Sequence, residues 1–186
     1  MSGESKEIRS PEIKELKELK VKDIEEIYKI YRDNSLTSVC RKNTDESFGS
    51  FIYKTSGKDN FICDVKKEDK TIAEIYVEWM DIDTVYIASV KRLDNSNKTG
   101  KKIVDIPLGK ILIFQALFKA KKRGATKVDL LPLDTGTNKL FKYYQSLGFD
   151  CYNEETGTII KTSEPTYYNC NYMTAKINDV LKFCCL

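Results

Sequence analysis

Proton transfer in this chain must fall to Glu, Asp, Tyr, Lys, Cys or water, because its 186 residues include no histidine. That removes Ser-His and Cys-His nucleophile pairs and every His-ligated zinc site. Tyr143 and Tyr144 stand between Leu140 and Leu147 on a helical stretch. A phenol with an ordinary pKa of about 10 stays protonated at neutral pH and can donate. Glu78 and Asp81 close the apolar run Thr71–Met80, and alternation puts Glu74, Glu78 and Met80 on one strand face. A solvated strand face is the simpler reading of those acids. The six cysteines, Cys40, Cys63, Cys151, Cys170, Cys184 and Cys185, show no C-x-x-C spacing. No metal site and no thioredoxin-like chemistry are therefore expected. Cys63 and Cys151 read as core residues with free thiols, in a reducing, cytoplasmic compartment.

Anion binding is the other chemistry the pattern offers. Pro107 opens and Gly124 closes a long helical run, where helix physics favours each. Lys119, Lys121, Lys122 and Arg123 suit the negative end of that helix dipole. Leu108, Ile111, Leu112, Ile113, Phe114, Ala116, Leu117 and Phe118 make its first turns apolar nearly all round, so the helix must be buried. Its first turn presents unpaired N–H groups that suit phosphate. Any buried α/β core helix has the same composition, so this feature alone names no ligand.

The elements that position these groups follow from periodicity and punctuation. Residues 21–32 repeat apolar side chains at helical spacing, and 45–54 form a weaker helix. Residues 13–19 are a short strand or a helix extension. Phe61–Val65, Thr71–Met80 and Thr84–Val90 are strand-like, with short links that make them antiparallel neighbours. After the helix, Lys127–Leu133 is a strand, which a right-handed crossover sets parallel to 84–90. A helix over Thr137–Leu147 and strands near Phe149–Asn153 and Asn171–Ile177 complete the chain. The net charge of +3, from 31 basic and 28 acidic residues, gives no case for nucleic acid. The start Met1-Ser2-Gly3-Glu4-Ser5-Lys6 has no apolar run, so no signal peptide is expected. No membrane span is expected either. The ending Phe183-Cys184-Cys185-Leu186 is not a prenylation box and reads as a frayed terminus.

Three stretches carry a family resemblance. Pro107-Leu108-Gly109-Lys110-Ile111-Leu112 precedes Ala120-Lys121-Lys122-Arg123-Gly124-Ala125. Leu140-Phe141-Lys142-Tyr143-Tyr144-Gln145-Ser146-Leu147-Gly148-Phe149 ends in Tyr-x-x-x-Gly-Phe. Together, residues 90–149 resemble the acyl-CoA-binding half of the GNAT N-acetyltransferase superfamily. Tyr172-Met173-Thr174-Ala175-Lys176 is similar to that family's closing strand. The resemblance implies a single mixed α/β domain. Its central sheet is mostly antiparallel, with a splayed parallel strand pair and helices on both faces. Residues 12–180 form the domain, between a loose segment 1–11 and a tail 181–186.

Acetyl-CoA is the implied co-substrate. Ser89, Val90 and Lys91 would face its pantetheine, and Ile106, Leu108, Gly109 and Lys110 its diphosphate. Asn138 stands next to the position of a family asparagine. Tyr144 matches the residue that contacts the cofactor and donates to the departing thiolate, and Glu78 is the nominee for base. The chain departs from the family at Val104-Asp105-Ile106-Pro107-Leu108-Gly109, where a basic residue and a first glycine are usual. Proline there removes an N–H. Asp105 is positioned to cap the helix, and Lys98, Lys101 and Lys102 to supply charge. Two functions follow. One is N-acetyl transfer to a primary amine of a small molecule or protein by direct attack in a ternary complex. The other is a CoA-binding or regulatory module without turnover. A homodimer is compatible with either.

Overall fold

A computed structural model describes residues 21–43, 57–93, 106–133, 136–166, 169–170 and 172–184. The elements are α1 (Val21–Asp33), β1 (Leu36–Lys42), β2 (Phe61–Lys67), β3 (Lys70–Trp79), β4 (Thr84–Arg92) and α2 (Leu108–Lys122). They continue with β5 (Lys127–Leu130), α3 (Lys139–Ser146), β6 (Asp150–Asn153), β7 (Thr158–Ile160), β8 (Tyr172–Lys176) and α4 (Ile177–Phe183). Eight strands form one sheet in the order β1-β2-β3-β4-β5-β8-β6-β7. Every neighbouring pair is antiparallel except β4 with β5. The expected mixed α/β domain is the one observed. Burial runs unbroken through Ile75–Trp79 of β3, which places the middle of the sheet between two covered faces.

Helix α2 is the core of the molecule. It packs on β2, β3 and β4, and ten of its residues are buried, from Leu108 to Ala120. Gly124 ends it at φ +95°. Gly124 N–H donates to Lys121 at 2.9 Å and Ala125 N–H to Ala120 at 3.0 Å, which satisfies two terminal carbonyls. Helix α3 ends the same way at Gly148, φ +89°, and there a side chain would also collide with the Phe183 ring, 2.7 Å from the nearest atom. Lys58 ties the far end of α2 to the sheet. Its ammonium donates to the carbonyls of Arg123 at 2.8 Å and Ile82 at 2.6 Å, over the Trp79 ring.

Several expectations need correction. Strand β5 stops at Leu130, not Leu133. Residues 181–184 are not a tail, because α4 runs to Phe183 with Val180, Leu181 and Cys184 buried. The edge strand β1 carries no strong apolar alternation, and pairing with β2 is what forms it. The expected helix at 45–54, the stretch 13–19 and the loose segment 1–11 lie outside the described residues. No helix among the described residues is long and apolar enough to cross a membrane.

The free thiols are also corrected. Cys40 and Cys63 stand directly opposite each other in the β1–β2 ladder and are bonded. Cys151 of β6 is bonded to Cys170, just before β8. Strand register creates the first pair and the approach of the segment before β8 to β6 the second, and spacing along the chain carries no trace of either. The ground for expecting a reducing compartment goes with them. Each bridge closes a loop of about 20 residues and contributes about 3 kcal/mol. Thiol titration of denatured, unreduced protein should therefore find no more than two reactive groups among the six cysteines. Finding six would contradict the pairing.

Candidate active site

Strands β4 and β5 pair over four positions only, from Thr84↔Lys127 to Ile87↔Leu130. Beyond that level β4 runs on to Arg92 while β5 has ended. Two local causes act together. Pro132 has no N–H to offer a ladder. On the other side of β4, the register with β3 passes from Val77↔Ile87 to Tyr76↔Ser89, so Ala88 is an unmatched bulge residue. A bulge bends and twists its strand, which turns β4 away from β5. From Ala88 to Arg92 the edge of β4 facing away from β3 has no strand partner among the described residues. Ser89, Val90 and Lys91 all lie on this stretch. The Lys91 ammonium points to the sheet face, 3.9 Å from Glu74, so the backbone of Lys91 is what meets the opening.

Helix α2 begins next in the chain. Pro107 is its first flanking residue, no side chain caps it, and its first turn holds no acid. Leu108 N–H is bonded to Ile106 and Ile111 N–H to Pro107, so Gly109 and Lys110 present the uncapped N–H groups. Those groups and the helix dipole favour an anion at this end of α2. Proline reduces the number of donors by one. The nearest neighbour of Gly109 comes from α3. A side chain there would meet the Tyr143 hydroxyl at 3.0 Å. The sequence singled out Tyr144, and the structure adds Tyr143 at the helix start.

Tyr144 is buried. Its ring stands edge-on to Phe149 at 5.6 Å and to Tyr143 at 5.3 Å. No described residue bonds its hydroxyl. Burial pushes its phenol up to about 12, and burial pushes Tyr143 well above the ordinary range. Both are proton donors at neutral pH. Asn138 forms the N-cap of α3 in the left-handed region, φ 58°, a conformation Asn tolerates.

Glu78 is buried in β3 and pairs with Tyr86 of β4, which pairs with Asp129 of β5, which pairs with Thr174 of β8. These four side chains form a polar row across one face of the sheet, immediately before β4 and β5 part. Asp129 accepts Thr174 Oγ1 at 2.6 Å and the Tyr172 hydroxyl at 3.5 Å, with the Lys127 ammonium at 3.6 Å. Tyr86 is pushed up by burial and then by the Glu78 charge. Tyr172 is pushed up by burial and then by Asp129. Sequence reading missed this row apart from Glu78. Its signal was an acid inside the apolar run Val128-Asp129-Leu130. Asp81, the other acid considered, is a turn residue whose carboxylate accepts the Ile82 N–H.

No family model matches the chain, and no curated protein does. Solved structures do. A GNAT-family acetyltransferase from Staphylococcus aureus Mu50 shares 13% identity, over 95% of this chain and 99% of that one, with a TM-score of 0.47. The ribosomal-protein-S18-alanine N-acetyltransferase of Escherichia coli shares 14%, over 95% and 94%, with a TM-score of 0.45. N-acetylglutamate synthase of Neisseria gonorrhoeae, complexed with coenzyme A and N-acetyl-glutamate, shares 13%, with a TM-score of 0.43. The similarity there covers 62% of this chain and only 25% of that one. Such likeness is distant, and the chemistry has to be argued from this chain's own geometry.

The Tyr144 environment has a measurable consequence. Its pKa is higher folded than unfolded, so folding favours the neutral phenol. That contribution is complete below about pH 10 and is lost as pH rises through about 12, a change of about 3 kcal/mol. Urea unfolding at about pH 9 and about pH 11.5 should show a steeper alkaline loss in the native protein than in Tyr144→Phe. Equal losses would place the phenol in water.

Proposed function

We propose that this chain is a GNAT-fold N-acetyltransferase that moves an acetyl group from acetyl-CoA to a primary amine. The observation that carries this reading is the parting of β4 from β5 beside a bulge, with an uncapped α2 as the next element in the chain. An extended ligand arm with amide groups can add to the free edge of β4 much as a strand would. The uncapped N–H groups of Gly109 and Lys110 then meet a diphosphate. Acetyl-CoA has both parts, and its thioester supplies an activated acyl group.

The chain's own residues divide the remaining work. The backbone of Ala88–Val90, on the edge turned away from β3, orients the arm and offers N–H groups toward the acyl oxygen, where charge develops. Glu78 and Asp129 hold the acceptor on the polar row as its ammonium. The amine must lose a proton before it attacks, and Glu78, directly or through water, takes it. The new C–N bond forms as the C–S bond breaks. Tyr144 gives its proton to the departing thiolate and is reprotonated, through water, by the second proton that the nitrogen sheds as it becomes an amide. An acceptor that arrives positively charged fits these buried carboxylates, and anionic or neutral acceptors do not.

A second reading is a CoA-binding module without turnover, which the proline at position 107 favours. One assay separates the two. Release of free CoA from acetyl-CoA is followed across a panel of primary amines, for the native protein and for Tyr144→Phe. The enzyme reading expects amine-dependent release, with kcat about 100-fold lower in Tyr144→Phe and little change in KM. CoA binding without release for any amine favours the module. No CoA binding at about millimolar concentration ends both.

A further inference from the structure

Away from the opening, at the other end of α2, lies a cavity of about 580 Å³. Lys121 of α2, Ala125 and Thr126 of the following turn, Lys127 of β5, Lys176 of β8 and Asn178, Asp179 and Lys182 of α4 line it. Four lysines and one aspartate thus stand along it. The volume is that of a small-molecule site.

Only one of those lysines has its charge answered. The Lys127 ammonium lies 3.6 Å from Asp129 and over the Tyr152 ring. Lys121, Lys176 and Lys182 make no ion pair with a described residue, and neither does Asp179. Lys121 and Lys182 stand in the last turns of α2 and α4, where a cation complements the dipole. Lys176 has no such local reason. It is the N-cap residue of α4, where a positive charge opposes the dipole. Three elements therefore bring to one hollow three lysines that make no ion pair with a described residue, against the local preference of one of them. Like charges gathered around a concave surface raise the potential inside it and attract an anion of high charge density. Ammonium groups suit phosphate as point charges.

We propose that this cavity is a second anion site, for a small phosphate-bearing ligand with two or more negative charges. Lys121, Lys176 and Lys182 hold it, and the Asn178 amide supplies a hydrogen bond. The site is separate from the opening between β4 and β5 and does not depend on what binds there.

The test is a titration of the full chain with inorganic pyrophosphate at low ionic strength, followed by backbone amide resonances. The expected result is saturating shifts at Thr126, Lys127 and Asn178 with a Kd below about 1 mM. The double variant Lys176→Gln/Lys182→Gln should bind about tenfold more weakly while its CoA affinity and Tm stay unchanged. A parallel titration with ATP distinguishes the source. Tighter binding that the same variant loses assigns a nucleotide, and equal binding assigns the bare diphosphate. Shifts confined to Gly109 and its neighbours, or equal affinity in the double variant, would overturn the proposal.

Discussion

The absent half of one β-ladder governs this structure. Backbone N–H and C=O groups are obligatory hydrogen-bonding groups, and leaving them unmet away from water costs about 1–3 kcal/mol each. Strand β4 gives up its parallel partner after Ile87. The groups it leaves open must be met by solvent or by something that resembles a strand. Bulge, proline and shortened β5 all serve that single feature. The bulge at Ala88 turns β4 outward, Pro132 withholds a donor, and β5 ends at Leu130.

Holding such a gap open requires stiffness around it. Helix α2 provides most of it, because burial on nearly all sides leaves the helix no room to shift. Both of its ends are fixed. Lys58 bonds its last carbonyl and reaches the β3–β4 turn, while Tyr143 of α3 lies against Gly109 at its start. Helix α3 is fixed in turn by Gly148, whose lack of a side chain lets the Phe183 ring approach. The helix as a whole is held by contacts from β2, β3, β4 and α4, and its amino end by Tyr143 of α3. The polar row Glu78–Tyr86–Asp129–Thr174 borders the gap on the sheet itself, with its register set by ladders that remain intact.

Features that follow from local rules were legible in the sequence. The helix between Pro107 and Gly124 announced itself through its two punctuating residues. The meander from Phe61 to Arg92 showed in short links between β-rich runs. Ser89, Val90, Lys91, Gly109, Lys110 and Tyr144 were named from the resemblance, and the structure carries them on β4, α2 and α3. What depends on partners far along the chain was not legible. Strand β1 exists because β2 pairs with it, and register brings Cys40 to Cys63. Asp129 looks like an interruption in an apolar strand until β4 and β8 place Tyr86 and Thr174 on either side. Tyr143 and Tyr144 are adjacent in sequence, and only packing shows that one meets Gly109 while the other turns toward Phe149.

Hydrogen–deuterium exchange of the chain with and without CoA tests the open edge of β4 most directly. Leu93 N–H bonds Ile72 of β3, so alternation turns the Val90 amide to the other edge; that amide should exchange readily in the free protein and slow when CoA binds, together with those of Gly109 and Lys110. If they are already protected without CoA, or if CoA binds and protects only other segments, the edge is not open and the ligand does not occupy it.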